Sequence, residues 1–170
     1  MLEKKGTVLR FSDIEKSALV AFLERYGLML EIVPSTFPIP GSYWGDDEAG
    51  LITNVLYSRQ ETPIHSILHE ACHFICMSPK RRETLHTYAD GSDVEEAGVC
   101  FLQILLSEEL PGVGQARMFA DMDAWGYSFR FGTAESWFLN DAEDAREWLL
   151  AHCVINSSGQ PCGLNMLPDQ

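Results

Sequence analysis

The feature that most constrains this chain is the segment 64–77, IHSILHEACHFICM, which contains the pattern His69-Glu70-Ala71-Cys72-His73. Residues four apart lie on one face of a helix, so the imidazoles of His69 and His73 can turn toward one ion. In zinc hydrolases the glutamate after the first histidine takes a proton from water. The alternative is a core helix that happens to carry two histidines, and we favour the metal site.

The flanking residues predict that this segment is a buried helix. Thr62 is a suitable N-cap and Pro63 a suitable first-turn residue. The positions between and beside the two histidines are apolar or small, namely Ile64, Ile67, Leu68, Ala71, Cys72, Ile75 and Cys76. We interpret Cys72 and Cys76 as packing residues because they point away from the face of the two histidines.

A second helix is predicted over residues 93–106, DVEEAGVCFLQILL, with Ser92 or Asp93 as its cap. Its first turn carries Glu95 and Glu96, and one carboxylate there can complete a His/His/Glu zinc site that leaves a fourth position for water. Glutamates in a first turn also complement the helix dipole, so at least one of the pair needs no other explanation.

Together the two helices make the chain similar to the small gluzincin metallopeptidases, most closely the ImmA/IrrE-like family. In that family the second helix reads E-x-x-A-N-x-F-A-x-x-L-L, and its first glutamate is the third zinc ligand. Aligning Glu95 with that glutamate puts Gly98 at the alanine and Phe101 at the phenylalanine. Aligning Glu96 instead puts Val99 and Leu102 there. The resemblance therefore implies Glu95 as the third ligand, with Glu96 as the alternative.

The resemblance covers roughly residues 28–107 and implies an α+β, gluzincin-like metallopeptidase domain. A short antiparallel or mixed sheet would pack on the HExxH helix and on a second ligand-bearing helix, with extra helices at the C-terminal end. Two departures stand out. Val99 replaces the polar residue that usually orients a ligand, and Gly98 replaces the alanine, which allows close helix approach. No segment resembles a helix-turn-helix, so DNA binding is not carried over.

Periodicity and turn residues predict the remaining organisation. We expect one domain over residues 1–170, with a core at about 28–107, a helical extension at 108–155 and an irregular tail at 156–170. The predicted elements are a helix at 12–26, strands at 28–33, 42–45 and 50–57, and helices at 114–125 and 140–153. The aromatic-rich stretch 125–138 is expected to pack in the core, and the alternative is an aromatic groove for substrate.

Composition narrows the function class. A net charge of −13 argues against nucleic acid, whose phosphates require a basic face. No apolar run is long enough for a membrane span, and the N-terminus lacks the apolar region of a secretory signal. Five cysteines, an odd number, are typical of reduced thiols. We therefore expect a cytoplasmic protein, with no membrane or nucleic-acid partner and an oligomeric state left open.

The resemblance implies a zinc-dependent metallopeptidase that hydrolyses a peptide or protein substrate, of narrow specificity toward a regulatory protein. Glu70 would be the general base, His69, His73 and Glu95 the metal ligands, and Zn²⁺ the cofactor. Candidates for stabilising the oxyanion are Tyr88 and His86, followed by His65, Tyr127 and His152. Strand 50–57 is expected to bind extended substrate by backbone pairing. The alternatives are an inactive zinc-binding regulatory or interaction domain and a metal-free structural domain.

Overall fold

The structure is a computed structural model that describes residues 7–45, 47–87, 89–130 and 132–169. Within these ranges seven α-helices surround a three-stranded sheet, which agrees with the predicted α+β class. In chain order the elements are α1 (Lys16–Arg25), β1 (Met29–Ile32), β2 (Gly50–Ile52), β3 (Val55–Ser58), α2 (Ile64–Cys76), α3 (Pro79–Thr84), α4 (Asp93–Ser107), α5 (Gln115–Trp125), α6 (Ala134–Asn140) and α7 (Glu143–Ala151).

Helix α2 is the predicted HExxH helix and forms the centre of the core. Its apolar positions are almost completely buried, as a helix that is apolar on most faces requires. Pro63 itself is the N-cap, whereas Thr62 uses its hydroxyl to accept a hydrogen bond from the Arg59 backbone N–H at 2.8 Å. At the other end, Ser78 caps α3, and Pro79 begins that short helix.

The sheet has the order β1-β3-β2, with β1 parallel and β2 antiparallel to the central strand β3. The single strand predicted at 50–57 is instead a hairpin whose turn contains Thr53, at a positive φ of 50°. Asn54 follows in the same two-residue turn. The strand predicted at 42–45 is a loop and turn segment, so its aromatic residues project from the sheet region instead of pairing within it.

The outer edge of β2 already has backbone partners. Leu51 donates to the Gly41 carbonyl at 3.2 Å and accepts from the Thr87 backbone N–H at 3.0 Å. Thr53 donates to the Leu85 carbonyl at 2.9 Å. The expectation that strand 50–57 pairs with an extended substrate is therefore wrong for this edge, because its donors and acceptors are occupied.

Helix α4 packs on α2 through one face and on α7 through another. The close approach to α7 depends on Gly98, since a Cβ there would lie 3.1 Å from Trp148 Cε3.

The predicted helix at 140–153 is shorter than expected and follows a separate helix, α6, inside the aromatic-rich stretch. Trp137 in α6 is buried and Phe138 stacks on Phe101 at 4.5 Å, which confirms core packing for the part of this stretch that lies in α6. Trp125 and Tyr127, at its start, instead line a cavity.

The buried core is continuous from Phe11 to Ile155, so the C-terminal helices share it with the HExxH helix. The tail at 156–169 has no helix, as predicted, and is anchored by Asn165, which bonds to the carbonyls of Ile75 and Cys76. All five cysteines are free thiols. Among the described residues no helix is long and apolar enough to cross a bilayer.

Candidate metal centre

Two imidazoles on α2 meet one carboxylate on α4. His69 Nε2 lies 3.0 Å from Glu96 Oε1, and His73 Nε2 lies 3.1 Å from Glu96 Oε2. The imidazole centroids are 4.7 Å apart and the rings are nearly perpendicular, at 85°. The helical spacing of the two histidines thus brings both Nε2 atoms to the same carboxylate at the α2–α4 interface.

The donor set fits a zinc ion. Tetrahedral zinc with bonds of 2.0–2.1 Å to nitrogen and oxygen separates its ligand atoms by about 3.3 Å. The observed separations of 3.0 and 3.1 Å between the Nε2 atoms and the Glu96 oxygens are close to that spacing. Imidazole nitrogen and carboxylate oxygen are also ordinary zinc ligands.

The electrostatics of this cluster favour a positive charge. Burial by itself lowers the pKa of His69, but Tyr127, Cys100 and Glu96 outweigh it and raise that pKa well above its usual value. Burial likewise tends to raise the pKa of Glu96, but its hydrogen bonds with His69 and His73 lower it overall. An unprotonated Nε2 and a carboxylate oxygen are both acceptors, so a contact of 3 Å between them requires a proton or a metal cation.

Gln103 fixes the orientation of His69. Its Oε1 lies 2.9 Å from His69 Nδ1, and its Nε2 donates to the His65 carbonyl at 3.0 Å. Because the amide nitrogen is engaged as a donor, Oε1 must accept from Nδ1–H, which leaves His69 Nε2 as the ligand atom. Gln103 is fully buried. It supplies the orienting contact that the sequence pattern lacks at Val99.

Cys100 is a further donor, one that the sequence motifs did not single out. Its Sγ, a nitrogen of His69 and a carboxylate oxygen of Glu96 all lie within 4.8 Å of one another. These three residues can therefore hold a metal ion. The pattern Glu96, Cys100, Gln103 follows helical spacing, and the lone glutamine in an apolar run is the signal that could have revealed this face.

Glu95, which the family alignment implied as the third metal ligand, pairs with Arg81 instead of facing the histidines. Its carboxylate is buried and accepts from Arg81 Nη1 at 2.9 and 3.0 Å. The other terminal nitrogen of Arg81 donates to the carbonyls of Ala89 and Asp90. The prediction of Glu95 as the residue facing the histidines is thus corrected in favour of Glu96, because adjacent helical residues point about 100° apart.

The same rotation explains why the alignment misled. Gly98 and Phe101, which favoured the Glu95 register, lie on the face of α4 that packs against α6 and α7. The face toward α2 carries Glu96 and Gln103. Matching apolar positions therefore identified a different face of α4 from the one that meets the histidines.

Glu70 follows the candidate ligand His69 in the chain and lines two cavities, of about 240 and 340 Å³. Burial is the main cause that raises its pKa, while His69 and His73 oppose it. Both cavities are also lined by His69 and Glu96. A substrate in either cavity would therefore contact the candidate base and the candidate ligands together.

Tyr127 is the hydroxyl donor that the structure brings to this centre. Its OH lies 3.0 Å from His65 Nδ1, and its ring centroid lies 5.8 Å from that of His69. Burial raises the pKa of Tyr127, so the phenol remains protonated and can donate a hydrogen bond. Both Tyr127 and His65 line the smaller cavity.

The other oxyanion candidates lie elsewhere. His86 is exposed, bonds to Thr87 Oγ1 at 2.7 Å and is absent from the described linings of the two cavities. His152 stacks on Trp148 and lines a separate cavity with Glu95. Tyr88 falls outside the described residues.

Comparisons with protein-family models, with curated proteins and with solved structures give no match. The likeness to the ImmA/IrrE-like family therefore stays a prediction from the motifs.

The separate roles of the two glutamates give a direct test. We expect Glu96→Ala to lower zinc affinity by more than about 100-fold. Loss of a residue that only hydrogen-bonds to a metal ligand typically lowers the affinity by about 10- to 100-fold, so a larger loss indicates a direct ligand. Glu95→Ala should largely keep zinc and instead destabilise the fold by about 2 kcal/mol, because Arg81 loses its buried partner. Competition titration with a chelator measures the first effect, and urea unfolding measures the second. The opposite ranking of zinc affinities would return the third ligand to Glu95.

The contact of Gln103 with His69 gives a second test. Gln103→Leu has a similar volume but no acceptor for Nδ1–H, so zinc affinity should fall by about 10- to 100-fold. Gln103→Glu retains an acceptor oxygen and should keep more of the zinc affinity than the leucine variant. Equal loss in both variants, measured at matched fold stability, would mean that Gln103 serves packing only.

Proposed function

We propose that this protein is a zinc-dependent metallopeptidase in which His69, His73 and Glu96 hold the metal and Glu70 is the general base. The observation that carries the proposal is the convergence of both Nε2 atoms on Glu96, at 3.0 and 3.1 Å, beside a glutamate that opens onto two cavities. Three protein ligands with an open fourth position are the usual composition of a catalytic zinc site.

A bound zinc ion would supply Lewis acidity and lower the pKa of water to about 7. The residues of this chain would transfer the proton and orient the metal ligands. Glu70, held by α2 next to His69, would accept the proton of the attacking water and return it to the leaving amine. Gln103 would keep the His69 ring in the tautomer and orientation that present Nε2.

Tyr127 is the preferred candidate for stabilising charge on the substrate carbonyl oxygen, in place of Tyr88 or His86. It lines the cavity that also contains His69 and Glu70. A phenol donor in a partly buried cavity can favour the developing oxyanion over the neutral carbonyl.

The motifs shared with the ImmA/IrrE-like family support peptide bonds as the substrate and narrow specificity, toward a regulatory protein in place of bulk protein. The covered edge of β2 is consistent with narrow specificity, since general backbone pairing at that edge is blocked.

A second candidate function follows from Cys100. If its thiolate joins His69, His73 and Glu96, four protein ligands close the site and leave no place for water, which is typical of structural zinc. The protein would then be an inactive zinc-binding regulatory domain. The grouping of Cys100 with His69 and Glu96 within 4.8 Å is the observation that favours this alternative.

Glu70→Gln is the test of the catalytic proposal. The variant and the unchanged chain should both bind one equivalent of zinc, and the variant should lose about 10²- to 10⁴-fold in turnover of a peptide substrate, because it lacks the proton acceptor but no ligand. Zinc content by atomic absorption and cleavage of a degenerate peptide mixture provide the two readouts. Glu135→Gln, at an exposed position of α6, is the matched control. Undiminished cleavage by Glu70→Gln would exclude Glu70 as the base.

Cobalt substitution separates the open site from the closed one. With three ligands from His69, His73 and Glu96, the cobalt protein should show no thiolate charge-transfer absorption, and Cys100→Ser should leave the spectrum and the metal affinity nearly unchanged. A charge-transfer band that disappears in Cys100→Ser would instead identify the four-ligand site of the regulatory alternative.

A further inference from the structure

The smaller cavity beside Glu70 combines aromatic rings with a carboxylate in its lining. Its aromatic walls are formed by Trp44, Trp125 and Tyr127, and Glu48 lies among them. No lysine or arginine is present in its described lining. We propose that this cavity binds a cationic side chain, arginine or lysine, of the substrate next to the scissile bond. The inference rests on the proposed function and adds the substrate class to it.

Glu48 is held in a fixed position. Its Oε1 accepts from the Trp125 indole N–H at 2.8 Å, and its own backbone N–H donates to the Gly45 carbonyl at 3.2 Å. The next residue, Ala49, donates to the buried Ser66 hydroxyl at 2.9 Å, which ties this segment to helix α2. A carboxylate fixed in this way needs little ordering when a ligand binds, and this favours affinity.

The aromatic rings provide the second part of the recognition. Trp44 is 75 % exposed and lines both cavities, so its face is available at the mouth of the site. The Trp125 ring also contacts the His65 ring, with a centroid distance of 4.9 Å. Tryptophan is the aromatic residue that attracts guanidinium and ammonium groups most strongly, and it also packs on their aliphatic stems.

The charge balance selects a cation over a neutral residue. An apolar side chain in this cavity would displace water from Glu48 without replacing its hydrogen bonds, which costs free energy. A guanidinium or ammonium group would pair with Glu48 while its stem lies on the indole rings. An acidic side chain would be repelled by Glu48 and by the neighbouring Glu70.

The position of the cavity makes this a specificity site for the proposed reaction. Glu70 and His69 lie in its wall, so a side chain bound here belongs to a residue close to the peptide bond under attack. The net charge of −13 would further attract cationic segments of a partner over longer distances at low salt.

The test compares arginine with citrulline, which has nearly the same shape but no charge. The probes are two capped alanine-glycine hexapeptides that differ only in one central residue. Binding to the full zinc-loaded chain carrying Glu70→Gln is followed by tryptophan fluorescence, so the measurement does not depend on turnover. We expect the arginine peptide to bind about tenfold more tightly, a difference that added salt reduces.

Glu48→Gln is the decisive variant because its amide oxygen can still accept from Trp125 while the charge is lost. In the Glu70→Gln background it should reduce the preference for arginine to about threefold or less, with the citrulline affinity unchanged. Glu135→Gln, which removes an equal charge at an exposed position outside the described lining of the cavity, should leave the preference intact. Equal affinity for the two peptides, or a preference that Glu48→Gln does not change, would overturn the inference.

Failure of the cationic-cavity proposal can be distinguished from failure of the proposed peptidase function. Cleavage of the degenerate peptide mixture without enrichment of basic residues near the cut would refute the cationic cavity and leave the peptidase intact. A charge-dependent preference in the binding assay, in a chain that cleaves no peptide, would support the cavity and refute the peptidase.

Discussion

The contact between the Glu96 carboxylate and the two imidazoles of α2 is the interaction around which the centre is arranged. It exists because α4 crosses α2 closely enough for a first-turn carboxylate to reach both Nε2 atoms. Helical geometry then restricts the choice to one of two adjacent glutamates. Glu96 faces the histidines, while Glu95 is rotated away and forms a buried ion pair with Arg81.

The surroundings of this contact favour a cation between its acceptors. Gln103 directs the Nδ1 proton of His69 away from the centre, so Nε2 is the atom that meets Glu96. The Glu96 side chain stays about 50 % exposed, and its hydrogen bonds with the two imidazoles lower the pKa of its carboxyl despite partial desolvation. Whether the chemistry is catalytic or structural depends on how many protein donors the cation receives, which makes Cys100 the residue that separates the two functions.

In the proposed peptidase, substrate recognition would depend on side chains more than on strand pairing. An extended peptide would need unpaired backbone groups on the outer edge of β2. Those groups are already hydrogen-bonded to Gly41 and to the 85–87 segment. The loop that carries Trp44 and Glu48 and the turn after α5 that carries Tyr127 instead enclose a cavity against α2. Specificity set by such a cavity would be narrower than specificity set by backbone hydrogen bonds, since the proposed occupant must be a cationic side chain.

The sequence by itself determined the two helices, because their apolar periodicity is a local property, as is the Ser92 cap of α4. The cap predicted at Thr62 was wrong, since Pro63 is the N-cap of α2. It also determined that His69 and His73 share a face, since four-residue spacing fixes this within one helix. Only the tertiary structure decided that Glu96 and not Glu95 faces them, that Gln103 and Cys100 join the group, and that β2 has a covered edge. The reason is physical: the rotation of α4 about its axis is set by its packing on α2 and α7 at once, and the apolar positions of α4 do not distinguish the face that each neighbour takes.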